Sequence, residues 1–147
     1  MNALPMLMVE DNAQDEMLTL RSLRKAGLGN AVEVVRDGQQ ALDYLFREGE
    51  FAGRAGAELP ALVLLDLGLP RLGGLEVLER IRADARTRPL PVVIFTSSSE
   101  EEDHLASLLR GANSFVRKPV DFTEFAEKVA RLGMYWLAVN EPPPSGR

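Results

Sequence analysis

Five short apolar runs recur along the chain: MLMVE (6–10), AVEVV (31–35), ALVLLD (61–66), PVVIFT (91–96) and NSFVRK (113–118). The first, third and fourth are almost uninterrupted, the pattern of parallel strands covered on both faces. The second alternates, as a strand nearer an edge does. Between the runs lie segments with helical spacing and capping residues. Asn12 with Asp15 opens a helix running to about Gly27, with Met17, Leu20 and Leu23/Arg24 on its inner face. Asp37-x-x-Gln40 has capping-box spacing ahead of Ala41, Tyr44 and Leu45. Gly73 and Gly74 precede Leu75, Leu78 and Ile81. Ser99-x-x-Glu102 caps a helix that carries Leu105, Leu108 and Leu109 and ends at Gly111; Glu100, Glu101 and Glu102 suit its positive end. Asp121-x-x-Glu124 opens the last helix, with Phe122, Phe125, Val129, Leu132 and Trp136 on one stripe.

The order is β-α repeated five times, which predicts a doubly wound α/β fold with helices on both faces of a parallel sheet. Two stretches break the pattern. Residues 47–60 read as an extended loop, and NEPPPSGR at the end cannot continue a helix. The expected organisation is one domain over 1–138 and a mobile tail over 139–147.

Composition narrows the function. The 147 residues suffice for one ordinary core, and 46% are hydrophobic and 27% charged, which excludes a disordered chain. A net charge of -5 with scattered basic residues argues against nucleic-acid binding. There is no cysteine, so disulfides, zinc–cysteine sites and cysteine nucleophiles are excluded. The first residues lack a basic segment and reach acidic positions too soon for a secretory signal, and no apolar run approaches the ~20 residues of a membrane span. A cytoplasmic location without membrane contact is expected.

The chemistry lies in how the strands end. The first closes on Glu10 and Asp11, the third on Asp66, the fourth on Thr96, and the fifth on Lys118 followed by Pro119. Ligands of open doubly wound sheets bind outside the carboxyl ends of the strands, at the switch in strand order. With the order 2-1-3-4-5, Glu10, Asp11 and Asp66 crowd together there. Three adjacent carboxylates repel, and a hard divalent cation such as Mg2+ relieves them while leaving room for phosphate oxygens. A carboxylate nucleophile, a metal, a hydroxyl and an ammonium suit phosphoryl transfer.

From about Leu7 to Leu137 the chain resembles the receiver domains of bacterial two-component response regulators. VEDN, LLDLGLPRLGG, VVIFTSS and SFVRKP carry the resemblance, in order and each at a predicted strand end. It implies a flavodoxin-like five-stranded sheet. It also implies Asp66 as phosphoacceptor, Glu10 and Asp11 as the acidic pair for Mg2+, and the Gly68 carbonyl as a main-chain metal ligand. Thr96 matches the hydroxyl that binds the phosphoryl group, and Lys118 the family lysine, whose bond to the following proline is often cis. Phe115 matches the switch aromatic. The implied partner is a histidine kinase, and a switch without an output domain of its own is expected.

The 47–60 loop, SSSEEED and the ending MYWLAVNEPPP resemble, more narrowly, single-domain regulators paired with bacterial phytochrome-type kinases. That likeness implies a homodimer through the fourth helix, fifth strand, fifth helix and C-terminal arm, with Tyr135, Trp136 and Leu137 serving core or dimer.

Two departures stand out. Gly68 offers no side chain, which leaves the phosphorylated carboxyl open to water or a phosphatase, and Glu10 replaces the commoner aspartate, so metal contact is direct or through water. Rival classes fare worse. An aspartate-nucleophile phosphohydrolase of the haloacid-dehalogenase type needs a second aspartate where Gly68 stands. A nucleotide-binding module needs a glycine-rich phosphate loop after the first strand. A pseudo-receiver that binds without phosphorylation sits poorly with an intact set of site residues. His104, the lone histidine, is expected on the surface of the fourth helix.

Overall fold

The computed structural model describes residues 4–54 and 59–144. Its five strands are β1 (Met6–Val9), β2 (Val32–Val35), β3 (Leu62–Leu65), β4 (Val92–Thr96) and β5 (Ser114–Arg117). They alternate with α1 (Ala13–Lys25), α2 (Gly38–Phe46), α3 (Gly74–Ala83), α4 (Glu101–Leu109) and α5 (Phe122–Gly133). All strand pairs are parallel and the order is β2-β1-β3-β4-β5. The doubly wound expectation and its strand order are therefore correct, and the alternating run, β2, lies at an edge.

Period-two alternation along the buried strands builds two cores. Leu7, Val9, Val63, Leu65, Val92 and Ile94 face α2 and α3, where Leu42, Leu45, Val77, Leu78 and Ile81 cover them. Met6, Met8, Leu62, Leu64, Val93 and Phe95 face α1 and α5, against Leu23, Phe125, Val129 and Leu132. The edge of Phe125 meets Phe95, with ring centroids 5.3 Å apart.

The predicted caps hold at three helices. Asn12 accepts from the Asp15 N–H at 2.9 Å, Asp37 from Gln40 at 2.8 Å and Asp121 from Glu124 at 2.9 Å. Gln40 reaches back to the Arg36 N–H, one residue before the capping-box partner. The fourth helix differs. It starts at Glu101 without a side-chain cap on Glu100, because Ser98 takes the Glu100 N–H and donates to Asp103 at 2.6 Å. The predicted Ser99 cap is thus replaced by Ser98.

Helical spacing also misplaced several apolar side chains. Met17, Leu105, Leu108, Leu109 and Phe122 are exposed. Alpha4 contributes only Ser107 to the buried set, since it rests against the sheet edge at β5 and not over its centre. Beyond α5 the helix widens to π spacing over Met134–Val139, one residue past the expected boundary at 138. Trp136 and Leu137 pack on the α1/α5 core, while Tyr135 is exposed. A single 3-10 turn, Gly49–Phe51, interrupts the 47–60 loop, and Phe51 stands edge-on to Tyr44. Residues 55–58 of that loop and 145–147 of the tail lie outside the described residues.

Close approach to backbone dictates a glycine at Gly74, as it does at Gly38. A Cβ on Gly74 would stand 2.3 Å from the Asp66 carbonyl oxygen, so α3 starts flush against the backbone that carries Asp66. Gly74→Ala is expected to lower the stability of the chain by about 1–3 kcal/mol in urea unfolding, because backbone cannot move aside as a side chain does. Gly29→Ala, which faces open space, should stay within about 0.5 kcal/mol of the parent.

Candidate functional site

The sheet register brings distant residues to one edge. Val9 is paired with both Val35 and Leu65, so Glu10 and Asp66 follow neighbouring strand ends. The Asp66 N–H bonds the Val9 carbonyl at 3.2 Å, and the Lys118 N–H bonds the Thr96 carbonyl at 2.7 Å. These bonds fix four side chains around one cleft of about 740 Å³, lined by Asp11, Asp15, Asp66, Gly68, Thr96 and Lys118 among others.

At its centre is a buried ammonium. Lys118 Nζ lies 2.7 Å from Glu10 Oε1, 2.8 Å from Asp15 Oδ2 and 3.0 Å from Asp66 Oδ2. The other Glu10 oxygen accepts from the Asn12 N–H at 3.1 Å, and Asp66 Oδ1 accepts from the Gly68 N–H at 3.3 Å. Thr96 is buried, accepts from the Ser98 N–H at 3.3 Å and hydrogen-bonds Asp66. Asp11 is exposed at the rim.

Electrostatics separate the two inner carboxyls. Burial raises the Glu10 pKa to about 7, against the opposing pull of Lys118. Burial acts on Asp66 in the same sense, but the Lys118 charge and hydrogen bond, with those from Thr96 and Gly68, outweigh it and hold Asp66 below its ordinary range. Asp66 is therefore ionised at neutral pH, as a nucleophile must be. Burial works against the Lys118 charge too, yet its bonds to Asp15 and Glu10 and the charges of Asp66 and Glu10 raise its pKa.

Glu10, Asp11 and Asp66 each bring a carboxylate oxygen within 4.8 Å of the other two. Three hard oxygens beside an open cleft fit a divalent cation that takes oxygen ligands. All the predicted site residues are thus brought to this edge except Phe115, which lies one layer back on β5. Its half-buried ring stacks on His104, with centroids 4.5 Å apart and planes 15° from parallel. His104 is exposed as expected, but it has this partner. All peptide bonds among the described residues are trans, so the often-cis expectation for Lys118–Pro119 is not met.

Asp15 was legible only as the residue behind the Asn12 cap. The missed signal was its place: the first turn of a helix that leaves the carboxyl end of β1 keeps an acidic side chain at the same edge.

Residues 6–130 match the family model of the response regulator receiver domain. The chain belongs to that family. Among curated relatives of this receiver domain, the probable methanogenesis regulatory protein FilR2 of Methanothrix harundinacea is 40% identical over 137 residues, 93% of this chain and 86% of that protein. Three solved structures are also similar. The bacteriophytochrome response regulator RtBRR is 50% identical with a TM-score of 0.76, covering 98% of this chain and 86% of its own. The phosphorylated cyanobacterial phytochrome response regulator RcpA is 33% identical with a TM-score of 0.89, over 96% and 99%. The Mn2+-bound form of response regulator Rcp1 is 30% identical with a TM-score of 0.89, over 95% and 99%. The receiver is thus related to phytochrome response regulators. No helix among its described residues is long and apolar enough to cross a membrane.

The raised Glu10 pKa gives metal binding a pH dependence. A cation at this site displaces the Glu10 proton, so affinity rises as pH climbs through about 7 and levels off above it. Calorimetric titration with Mn2+ should show roughly tenfold tighter binding at about pH 8 than at about pH 6. Glu10→Gln should flatten that profile.

Proposed function

We propose that this receiver accepts a phosphoryl group from a histidine kinase on Asp66, with Mg2+, and signals through protein contacts. One observation carries the reading: an ionised Asp66 carboxylate sits 3.0 Å from a buried ammonium, beside a carboxylate pair whose oxygens fit a divalent cation. The occurrence of phosphorylated and Mn2+-bound relatives supports it. The likeness to bacteriophytochrome regulators favours a phytochrome-type kinase as partner and a cytoplasmic site of action.

In the proposed reaction an Asp66 oxygen attacks the phosphorus of a phosphohistidine. The new O–P bond forms as the N–P bond breaks, and the imidazole nitrogen leaves with the bonding pair. Lys118 donates to the incoming phosphoryl oxygens, and the Thr96 hydroxyl turns from Asp66 to a phosphoryl oxygen. Bound Mg2+ would be held by Glu10, Asp11, Asp66 and the Gly68 carbonyl, and it supplies neutralising charge for the transferred group. Water attack on the same phosphorus breaks the Asp66 O–P bond, releases inorganic phosphate and returns Asp66 to its carboxylate, and Gly68 leaves that approach open.

The signal spreads by a local rearrangement. When Thr96 shifts, the space beside it admits the Phe115 ring, which must leave its stack with His104. That frees α4 to move against β5, a two-state response to added charge. The exposed Leu105, Leu108 and Leu109 on α4, with Tyr135 and Val139 on the C-terminal arm, supply the apolar surface for a second copy.

Incubation with Mg2+ and a small phosphodonor, followed by intact mass, should add one phosphoryl group to the wild type and none to Asp66→Asn. Equal uptake by both overturns the assignment. Sedimentation at micromolar concentration should show a dimer in at least one phosphorylation state; a monomer in both removes the dimer from the proposal.

A further inference from the structure

Lys118 is surrounded more completely than its proposed role requires. An ammonium has three N–H donors, and here Glu10, Asp15 and Asp66 take all three. The Lys118 side chain is only 5% exposed, so water offers it no substitute.

These three partners are not equivalent toward a cation. Glu10 and Asp66 belong to the carboxylate group that fits a divalent ion, with Asp11 as its third member. A cation there draws on two of the same carboxylates that hold Lys118, and its double charge repels the ammonium. Asp15 stands outside that group. It sits in the first turn of α1, its own N–H capped by Asn12 at 2.9 Å, so the helix fixes where its carboxylate hangs.

We infer that Asp15 is a positioning residue, the anchor that keeps Lys118 in the site when a divalent cation takes over Glu10 and Asp66. The inference rests on the proposed phosphoryl-accepting site and adds a residue to it. Asp15 touches neither the cation nor the reacting oxygen. It acts through Lys118, which must stay in place until a phosphoryl group arrives to receive its donors. An acidic residue in the first turn also favours the helix dipole, but that role needs no contact with Lys118, and the two are separable.

The test follows the Lys118 ammonium by NMR in full-length protein loaded with Mg2+. The chain has three lysines, Lys25, Lys118 and Lys128, so the buried one is readily assigned. In wild type its protons should stay protected after metal addition. In Asp15→Ala they should exchange at least about tenfold faster, the loss expected for a charge-assisted bond. Asp15→Asn retains an acceptor oxygen and should restore most of the protection. Phosphoryl uptake from a small donor should fall with the Ala variant and recover with Asn.

Unchanged Lys118 protection in metal-loaded Asp15→Ala would overturn the inference and leave Asp15 a helix-end acid. If no variant takes up phosphate, wild type included, the proposed function fails while the Lys118 exchange still decides the anchor.

Discussion

Four carboxylates and one ammonium share the carboxyl edge of this sheet, and the imbalance between them organises the site. Lys118 bridges Glu10, Asp15 and Asp66 but leaves most of the negative charge uncompensated. Burial then divides the carboxyls by role. Asp66, with donors from Lys118, Thr96 and Gly68, stays ionised, whereas Glu10 is pushed up to about 7. Such a cluster is stable enough to fold yet poised to accept positive charge. A structure built for stability alone would pair these groups or replace them with apolar ones.

The scaffold exists to keep that imbalance in place. Strands β1, β3 and β4 are among the most deeply buried parts of the molecule, and both faces of each are packed by helices. Rigid strands deliver their terminal residues with fixed spacing, and Gly74 lets α3 press against the Asp66 backbone. Softer parts lie on the other side of Thr96. Alpha4 buries little, its leucines face solvent, and its contact with β5 includes one exposed histidine ring on Phe115. Tight packing behind Asp66 and loose packing beyond Thr96 set a rigid site next to a less constrained element.

Most of the fold was legible because buried parallel strands are nearly continuous in apolar residues and their helices open on Asn12, Asp37 and Asp121 with donors at the right spacing. The candidate site was legible because each chemical group stands directly after a strand. What escaped the sequence shares one cause. Helical spacing marks a stripe as apolar but not what covers it, so Leu105, Leu109 and Phe122 read as core and stand in solvent. Likewise Asp15 read as part of a cap, since its contact with Lys118 spans 103 positions and leaves no local trace.

That span matters for the life of the protein in another way. The carboxylate–ammonium cluster joins the beginning, middle and last third of the chain, and Glu10 meets Lys118 across 108 positions. Contacts this remote close only after the strands between them are paired. A nascent or partly unfolded chain carries Asp66 but not the ammonium beside it, and so lacks the arrangement on which the proposed function rests. The same arrangement that sets the charge of the site therefore ties its chemistry to the completed fold: the cluster exists only once both ends of the sheet are assembled.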